Sequence, residues 1–241
     1  MNEKDHRKRV AAERRARMRS RLLSSALRLV AAKGPASTSI DDVISTADVS
    51  RGTFYKYFSS RGALVQELAV EIANELVRMT EPVVLSRDDP AERVAQGIRL
   101  VSRLAIHHPE VAAFLVRLGW PQVRGPRILL DYVRRDIEEG FRRHRFKQMP
   151  IALALNIVAG AVLGATHRML GSGCEHDFAE QTAAAALRAL GVDAQAAETI
   201  SVASLGAYQI PPTGLLADSL APSIRDDAPI RARASSGNRR A

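Results

Sequence analysis

Apolar side chains recur every three or four residues along most of the chain, the spacing of one face of an α-helix. An alternating apolar and polar pattern, typical of a half-buried β-strand, does not occur in the sequence. The pattern therefore predicts an all-α protein. Helices are predicted at 20–33, after Ser39, at 51–58, 61–79 and 91–107, from 109 onward, and at 127–145, 150–170 and 178–190, with loops at 82–90 and 119–126.

Two short helices joined by a tight turn are predicted between residues 39 and 58. Ser39 is a favourable N-cap for the first of them, and the carboxylate of Asp42 can reach back to the Ser39 amide. Ser50 can cap the second helix in the same way. Phe54 and Phe58 are four residues apart on this second helix, so both rings are expected on one buried face.

The side chains left on the outer face of the second short helix suit the major groove of DNA. They combine one guanidinium, one ammonium and three hydroxyl groups, from Arg51, Thr53, Tyr55, Lys56 and Tyr57. Arginine can address guanine edges, whereas hydroxyl and ammonium groups hold phosphates. The pattern predicts a helix-turn-helix in which residues 51–58 form the recognition helix.

Three segments resemble the tetracycline-repressor-like (TetR) family of bacterial transcription regulators. They are VSRGTFYKYF at 49–58, TSIDDV at 38–43 and SRGAL at 60–64, and the resemblance covers residues 20 to 70. It implies a homodimer with an N-terminal three-helix DNA-binding domain and a C-terminal helical domain that dimerises and binds a small effector. Ser39 and Ser60, at helix N-termini, and Arg61 are expected to hold phosphates. The full set of expected DNA contacts is Ser39, Ser50, Arg51, Gly52, Thr53, Tyr55, Lys56, Tyr57, Ser60 and Arg61.

The sequence departs from the family pattern outside the recognition helix. The family usually has an aromatic residue after the glycine that ends the first helix and another near the end of that helix, where this chain has Pro35 and Val30. Gly62 stands where an acidic residue often begins the fourth helix. We therefore expect the first helix to pack differently on the third, with the outward face of the recognition helix unchanged.

The formal net charge of +9 is concentrated at the two ends of the chain. Residues 1–21 carry nine basic against three acidic residues and residues 223–241 carry five against two, whereas residues 22–222 carry twenty-one of each. Basic segments beside a compact body favour a polyanion, since each neutralised phosphate releases counterions. The N-terminal arm is expected to follow the DNA backbone or to reach into the minor groove. The alternative for this arm is a solvated tail that only aids solubility.

These patterns predict four regions. They are a basic arm at 1–19, a helix-turn-helix DNA-binding domain at 20–66, a helical effector-binding and dimerisation domain at 67–200, and a disordered tail at 201–241. The tail is predicted because prolines recur after residue 201 while large apolar residues become few.

The helices at 150–170 and 178–190 are the predicted dimer interface. The first is apolar around most of its circumference and carries small residues such as Gly160 and Gly164, and the second is rich in alanine. A helix this apolar must be covered on two sides, which a four-helix bundle from two chains achieves. The alternative is a helix at the centre of a monomeric bundle. A twofold dimer would place its recognition helices about 34–36 Å apart, or at multiples of one helical turn, and would favour a near-palindromic operator.

The resemblance implies a small, mostly apolar effector between the helices of the second domain. Six side chains could orient such a ligand, although each could equally be an ordinary core, interface or helix-junction residue. They are His107, Arg117, Trp120, Tyr132, Asn156 and His167.

Other classes of protein find little support in the sequence. Cys174 is the single cysteine, which excludes an intrachain disulfide and gives no metal-ligand spacing, and no metal or cofactor is predicted. Polar residues follow Met1 and the apolar run at 151–165 is shorter than a membrane span, so a cytoplasmic protein is expected. A nucleophile elbow, a Walker loop and an HExxH motif are absent from the sequence, which argues against an enzyme. The predicted function is a homodimeric repressor released from its operator by an effector; the alternatives are a nonspecific DNA-coating protein and an enzyme acting on a small molecule.

Overall fold

The computed structural model describes residues 3–119, 128–171, 177–206 and 213–220, with side chains from residue 5 onward. These parts of the chain form twelve α-helices and contain no strand, so the all-α prediction is confirmed. The helices are α1 (Glu3–Lys33), α2 (Ile40–Ala47), α3 (Arg51–Tyr55), α4 (Arg61–Val84), α5 (Pro90–Ser102), α6 (Leu104–His107), α7 (Pro109–Leu118), α8 (Ile128–Arg142), α9 (Ile151–Leu170), α10 (Phe178–Ala189), α11 (Ala194–Val202) and α12 (Leu215–Asp218).

The basic N-terminal arm is helical and continuous with the first predicted helix. α1 begins at Glu3 instead of residue 20, because the arm is rich in arginine and alanine, which favour the helix. Glu13 also lies one turn from both Arg9 and Arg17 and pairs with each of them, at 3.7 and 4.0 Å. The arm is therefore a helical extension of the DNA-binding domain.

The predicted loop at residues 82–90 is shorter in the structure, because α4 continues through Pro82 to Val84. The proline lies in the last turn with its ring exposed, and the buried side chains of Val83 and Val84 hold that turn on the core. The predicted helix at 91–107 is divided at Arg103, whose guanidinium pairs with Glu180 on α10. In α3, regular helix ends at Tyr55 instead of residue 58.

The predicted disordered tail is wrong for the described residues 213–220. Leu215 and Leu216 of α12 are buried in the core, as is Ser201 near the end of α11, a helix that the apolar pattern did not predict. α11 begins after Asp193, whose carboxylate accepts the N–H groups of Gln195 and Ala196. The remainder of the predicted tail, 207–212 and 221–241, lies outside the described residues.

Two hydrophobic clusters make up the core. The first joins α1–α4 to α6, α7 and α12, so that the DNA-binding domain and the adjoining layer of the second domain share one interior. The second lies among α5, α8, α9, α10 and α11. α4 runs from the helix-turn-helix into the second domain, as the sequence predicts, and contacts α5, α8 and α12 along the way.

Stability is expected to fall on acidification because of His108, a fully buried residue at the junction of α6 and α7. Burial lowers its pKa to about 4, although the imidazole also bonds the backbone of Leu216. The unfolded chain therefore takes up this proton first as the pH falls below about 6.5. The free energy of unfolding should decrease by up to about 3 kcal/mol between pH 6.5 and 4.

Urea unfolding across this pH range, at fixed protein concentration, measures the effect. His108→Asn should flatten the pH dependence relative to the wild-type protein. His144→Asn is the matched control, since His144 is exposed and has a left-handed backbone that asparagine tolerates. An equal flattening in both variants would contradict the assignment to His108.

Candidate nucleic-acid interface and ligand cavity

The start of α2 is fixed by the capping box that the sequence predicts. The Ser39 hydroxyl accepts the N–H of Asp42 at 3.1 Å, and the Asp42 carboxylate accepts the N–H of Ser39 at 2.8 Å. Lys33 adds an ion pair to the same carboxylate at 2.8 Å. These bonds, chiefly the one from Lys33, hold the pKa of Asp42 well below its usual range. The turn before α2 is thereby tied to the end of α1.

α3 is capped and anchored by side chains close to it in sequence. The Ser50 hydroxyl accepts the N–H of Thr53 at 3.1 Å. Phe54 and Phe58 are both buried, with ring centroids 5.9 Å apart, as the four-residue spacing predicts. Between the helices, Asp48 adopts a left-handed conformation (φ 49°) and its N–H bonds the last carbonyls of α2. The orientation of α3 is therefore set by local capping and by two buried rings.

The outer surface of α3 presents most of the side chains predicted to contact DNA. Arg51, Gly52, Tyr55 and Lys56 are exposed, and Thr53 is half-buried. Tyr57 is also half-buried and packs against the core of the DNA-binding domain, so it is partly a structural residue. These exposed groups are accessible to a groove that α3 enters.

Arg51 already has a partner on α2 that the sequence did not identify. Its guanidinium forms an ion pair with the exposed carboxylate of Asp41, and this hydrogen bond raises the pKa of Arg51. The two residues lie ten positions apart on different helices, so only the turn geometry brings them together. Pairs between exposed groups are weak, and a guanine edge or a phosphate can replace Asp41.

The predicted phosphate-binding residues before α4 have structural partners. The Ser60 hydroxyl caps α4 by accepting the N–H of Ala63 at 3.1 Å. Arg61 donates to the carbonyls of Ala36 at 2.9 Å and Thr38 at 3.4 Å, tying the turn after α1 to the start of α4. These bonds give the Arg61 guanidinium a structural role, because they fix the position of the residues before α2 relative to α4.

A groove separates the helical extension of α1 from α3. Its lining combines basic residues of the extension with the outer side chains of α3, and comprises His6, Arg7, Val10, Ala11, Arg14, Arg15, Met18, Thr53, Lys56 and Tyr57. We call this surface the basic groove. It places the positive charge of the arm beside the predicted recognition helix.

A cavity of about 630 Å³ lies along α4, among α4, α5, α7, α8 and α9. Its wall is mostly apolar, with Val77, Val101 and Val162 as examples. The volume falls in the range of sites that enclose drug-sized molecules. Because the lining extends along α4 from Gly62 to Val84, an enclosed molecule would contact the helix that begins at the DNA-binding domain.

Two polar residues of the cavity wall, Glu81 and Asp136, belong to an ion-pair network. Arg135 donates to Glu81 at 2.8 and 3.2 Å and to Asp136 at 2.9 and 3.0 Å, and Arg93 lies 3.4 Å from Asp136. The hydrogen bond to Glu81 is the main reason that the pKa of Arg135 is raised. Arg135 also lies 5.4 Å from the ring centroid of Tyr132. The charges of the two lining carboxylates are therefore matched by two guanidinium groups.

Of the predicted effector contacts, the cavity receives Tyr132. Arg117, Asn156 and His167 are exposed and lie outside its lining. His107 is half-buried at the end of α6, where burial lowers its pKa, and it also lies outside the lining. Trp120 lies outside the described residues. The side chains that the sequence made conspicuous therefore do not line the cavity in four cases, which are His107, Arg117, Asn156 and His167.

The polar lining residues that the sequence analysis missed are Gln66, Thr80, Glu81 and Asp136. One signal could have found Asp136, because it occupies a position of the apolar stripe that runs through Leu129, Val133 and Gly140. A buried carboxylate on such a stripe requires partners.

Within the described ranges no three His, Cys, Asp or Glu side chains cluster as metal ligands, and Cys174 lies outside those ranges. α9 is the one described helix long and apolar enough, by length and composition, to cross a membrane. Of its most apolar 18 residues, only 28% are buried by this chain, and Leu153 is 50% exposed. α9 therefore leaves an apolar face uncovered.

Comparison with known proteins identifies the family. Residues 22–68 match the sequence profile described as "Bacterial regulatory proteins, tetR family", and residues 89–203 match "Tetracyclin repressor-like, C-terminal domain". The ligand-free crystal structure of RolR is 31% identical with a TM-score of 0.64, and the match covers 79% of this chain and all of RolR. The chain belongs to the TetR family of bacterial transcriptional regulators. The resemblance drawn from residues 38–64 is thus confirmed.

Further TetR-family relatives match parts of the chain. A complex of RolR with resorcinol has a TM-score of 0.58 at 28% identity, covering 82% of this chain and all of RolR. The transcriptional repressor KstR2 of Mycobacterium tuberculosis is 28% identical over 149 residues, which is 56% of this chain and 74% of KstR2. The transcriptional regulator Rv1255c of the same species is 30% identical over 105 residues, 44% of this chain and about half, 52%, of that relative.

Proposed function

We propose that this TetR-family protein is a homodimeric repressor that binds a near-palindromic operator in the cytoplasm and is released by a small, mostly apolar effector. The observation that carries the proposal is the outer face of α3. This face holds Arg51, Tyr55 and Lys56 exposed while Ser50 and the buried Phe54 fix its orientation. A rigid helix is suited to reading base edges when its arginine can leave an exposed carboxylate, here Asp41, and bind a guanine instead.

The basic groove supports a second set of contacts, to phosphates beside the site that α3 reads. Arg14 and Arg15 are exposed on the extension of α1 and face the groove from the side opposite Lys56. Contacts of this kind are independent of base sequence and strongly dependent on salt. A protein that coats DNA nonspecifically would use the same groove, but it would not need the capped and anchored α3.

The uncovered face of α9 supports the dimer. Apolar surface of α9 that this chain leaves exposed, including Leu153, is costly to keep in water, and a second copy of α9 and α10 would cover it. The exposed surface of α10 is formed partly by the small side chains of Ala185 and Ala189, which permit close helix packing. In the alternative of a monomeric bundle, the exposed part of α9, including Leu153, would stay in contact with water.

The cavity supports a neutral effector with an apolar body. Its carboxylates are paired with Arg135 and Arg93, so an additional negative charge near Asp136 would lack a free cation to pair with. The Tyr132 hydroxyl has no hydrogen-bond partner among the described residues and could bond a hydroxyl or carbonyl group of the ligand. RolR, which has been solved with resorcinol, supports a small-molecule role for the C-terminal domain.

In the proposed mechanism, the ligand-free dimer holds its two recognition helices at the operator spacing. A ligand along α4 favours a conformer in which that spacing is wrong. A coupling free energy of about 1–3 kcal/mol between the two sites is sufficient to change operator occupancy substantially.

The function is tested by selecting genomic DNA fragments bound by the purified protein at about physiological salt, where nonspecific phosphate binding is weak. Enrichment of a short inverted repeat is the expected result, and reporter repression from that repeat would establish the regulatory role. Even binding across the genome would favour the nonspecific alternative. Turnover of a small molecule by the purified protein would favour an enzyme.

Substitutions of Arg51 and of the basic groove should have different effects on the affinities for operator and random DNA duplexes. Arg51→Ala should reduce operator affinity about tenfold more than random-duplex affinity, because it removes a base contact. The double variant Arg14→Ala, Arg15→Ala should weaken both duplexes equally and lower the salt slope by about four, since two phosphate contacts are lost in each of the two protomers. Fluorescence anisotropy over a salt series measures both effects, and equal losses for Arg51→Ala would make it a phosphate contact.

Leu153→Glu should convert the dimer to a monomer, because it places a charge on the uncovered face of α9. Leu85→Glu is the matched control, since Leu85 is 53% exposed against 50% for Leu153 but lies between α4 and α5. Sedimentation velocity at micromolar concentration distinguishes the two states. A monomeric wild-type protein, or a dimeric Leu153→Glu variant, would refute the interface.

Gly97→Leu should fill part of the cavity and exclude a neutral apolar dye. Gly97 lines the cavity, and a Cβ added there meets no atom within 4 Å. Nile red affinity should fall at least about tenfold, while thermal stability is retained because leucine favours the helix more than glycine does. Ala32→Leu, on the exposed side of α1, is the control for added volume, and an unchanged affinity in Gly97→Leu would show that the dye binds elsewhere.

A further inference from the structure

Residues 213–220 contact three parts of the molecule that DNA binding and ligand binding would have to coordinate. They bond Glu75 in the middle of α4, Ser24 on α1 and His108 at the junction of α6 and α7. We propose that this segment, the C-terminal clasp, holds the DNA-binding domain against the second domain and thereby sets operator affinity. The operator part of this inference rests on the proposed function.

Glu75 has a buried carboxylate, and both of its hydrogen-bond donors among the described residues belong to the clasp. It is 2% exposed, and its two oxygens accept the N–H groups of Leu215 at 2.9 Å and Leu216 at 2.8 Å. Within the described residues no lysine or arginine forms an ion pair with it. A buried carboxylate is costly without such bonds. The charge in the middle of α4 is therefore stabilised by a segment 140 residues away in sequence.

The turn that begins the clasp is shaped to fit this carboxylate. Gly214 has a φ of +119°, a conformation that L side chains rarely adopt, and a Cβ at this position would overlap the Glu75 carboxylate. The next two residues, Leu215 and Leu216, are buried in the hydrophobic cluster shared by α1 and α4. The backbone conformation of Gly214, the hydrogen bonds to Glu75 and the burial of the two leucines therefore all fix the segment in the same position.

The other end of the clasp reaches both domains. The Ser24 hydroxyl donates to the Asp218 carboxylate at 3.0 Å, which ties the clasp to α1. Ser219 lies 3.3 Å from the His108 imidazole and donates to the carbonyl of Leu216 at 3.1 Å, which ties it to the second domain. The clasp therefore closes a connection between the domains that is separate from the covalent path through α4.

α4 lies between the clasp and the ligand cavity. Ala73 and Val77 line the cavity, and each is two residues from Glu75, or about 200° around the helix. A ligand that displaces α4 must therefore move the clasp with it or break the Glu75 bonds. Without the clasp, the DNA-binding domain would spend less time in the orientation that fits the operator, and apparent affinity falls in proportion to that fraction.

Two truncations form a matched pair that tests the clasp. A chain ending at residue 212 lacks it, whereas a chain ending at residue 220 retains it. Glu75→Gln, which weakens the acceptor while keeping its size, accompanies them, with Glu198→Gln on the exposed face of α11 as its control. Circular dichroism and sedimentation first establish that each variant is folded and has the wild-type assembly state.

The expected result has two parts. Amide hydrogen exchange around Ser24 and Glu75 should accelerate about tenfold or more in the chain ending at 212 and in Glu75→Gln, with α10 unchanged. Operator Kd should rise about fivefold or more in the same two proteins, because fewer molecules hold the competent orientation. The chain ending at 220 and Glu198→Gln should match the wild-type protein in both measurements.

Three outcomes would overturn the inference or part of it. Unchanged exchange would refute the clasp, and faster exchange with an unchanged Kd would refute its control of operator binding. A wild-type protein without a preferred DNA site would refute the proposed function and the operator part together, while the exchange data would still decide whether the clasp joins the domains. If both clasp variants fail to fold, Ser24→Ala, which loses only the α1 attachment, must raise exchange in α1 for the inference to stand.

Discussion

The continuous apolar face of α4 is the constraint on which the rest of the structure depends. Leu64, Leu68, Ile72 and Leu76 are each at most 1% exposed and lie in one cluster with Phe54 of α3, the proposed recognition helix. Burial of each leucine or isoleucine contributes on the order of 1.5–3 kcal/mol, so the two domains are joined by a packed interior and not by a flexible linker. Because an adjoining face of the same helix lines the cavity, the position of α3 depends on how α4 packs in the second domain.

Local periodicity was sufficient to predict most of the fold but failed where distant groups decide the structure. α7, α9 and α10 lie within about one residue of their predicted bounds, because each is a run of mostly apolar or helix-favouring residues bounded by proline, glycine or a change to polar residues. The clasp could not be predicted in this way. Its four-residue helix is held by Glu75, and neither a proline-rich neighbourhood nor a lone carboxylate in α4 indicates that the two should meet. The helical arm was missed for a different reason, since its strong helix formers lack an apolar face.

The same distinction separates the two candidate sites. Caps and ring pairs in α2 and α3 join residues three or four positions apart, so Ser39, Ser50 and Phe54 could be assigned from the sequence. The cavity is formed where five helices meet, and its polar residues are decided by packing angles that the sequence does not display. Choosing conspicuous polar side chains therefore identified Tyr132 but not Thr80 or Asp136.

The ion pair between Arg51 and Asp41 bears on how such a protein would find its site. During nonspecific contact, phosphates must compete with a carboxylate that already holds this guanidinium, whereas a correctly placed guanine offers two acceptors at once. In the proposed function, the charge of Arg51 is thus partly neutralised until the guanidinium meets its target base, while the exposed Arg14 and Arg15 of the basic groove can contact the DNA backbone. If the proposed function is correct, the protein would slide along DNA through nonspecific contacts of its α1 extension, while α3 would bind only weakly to sequences other than the operator.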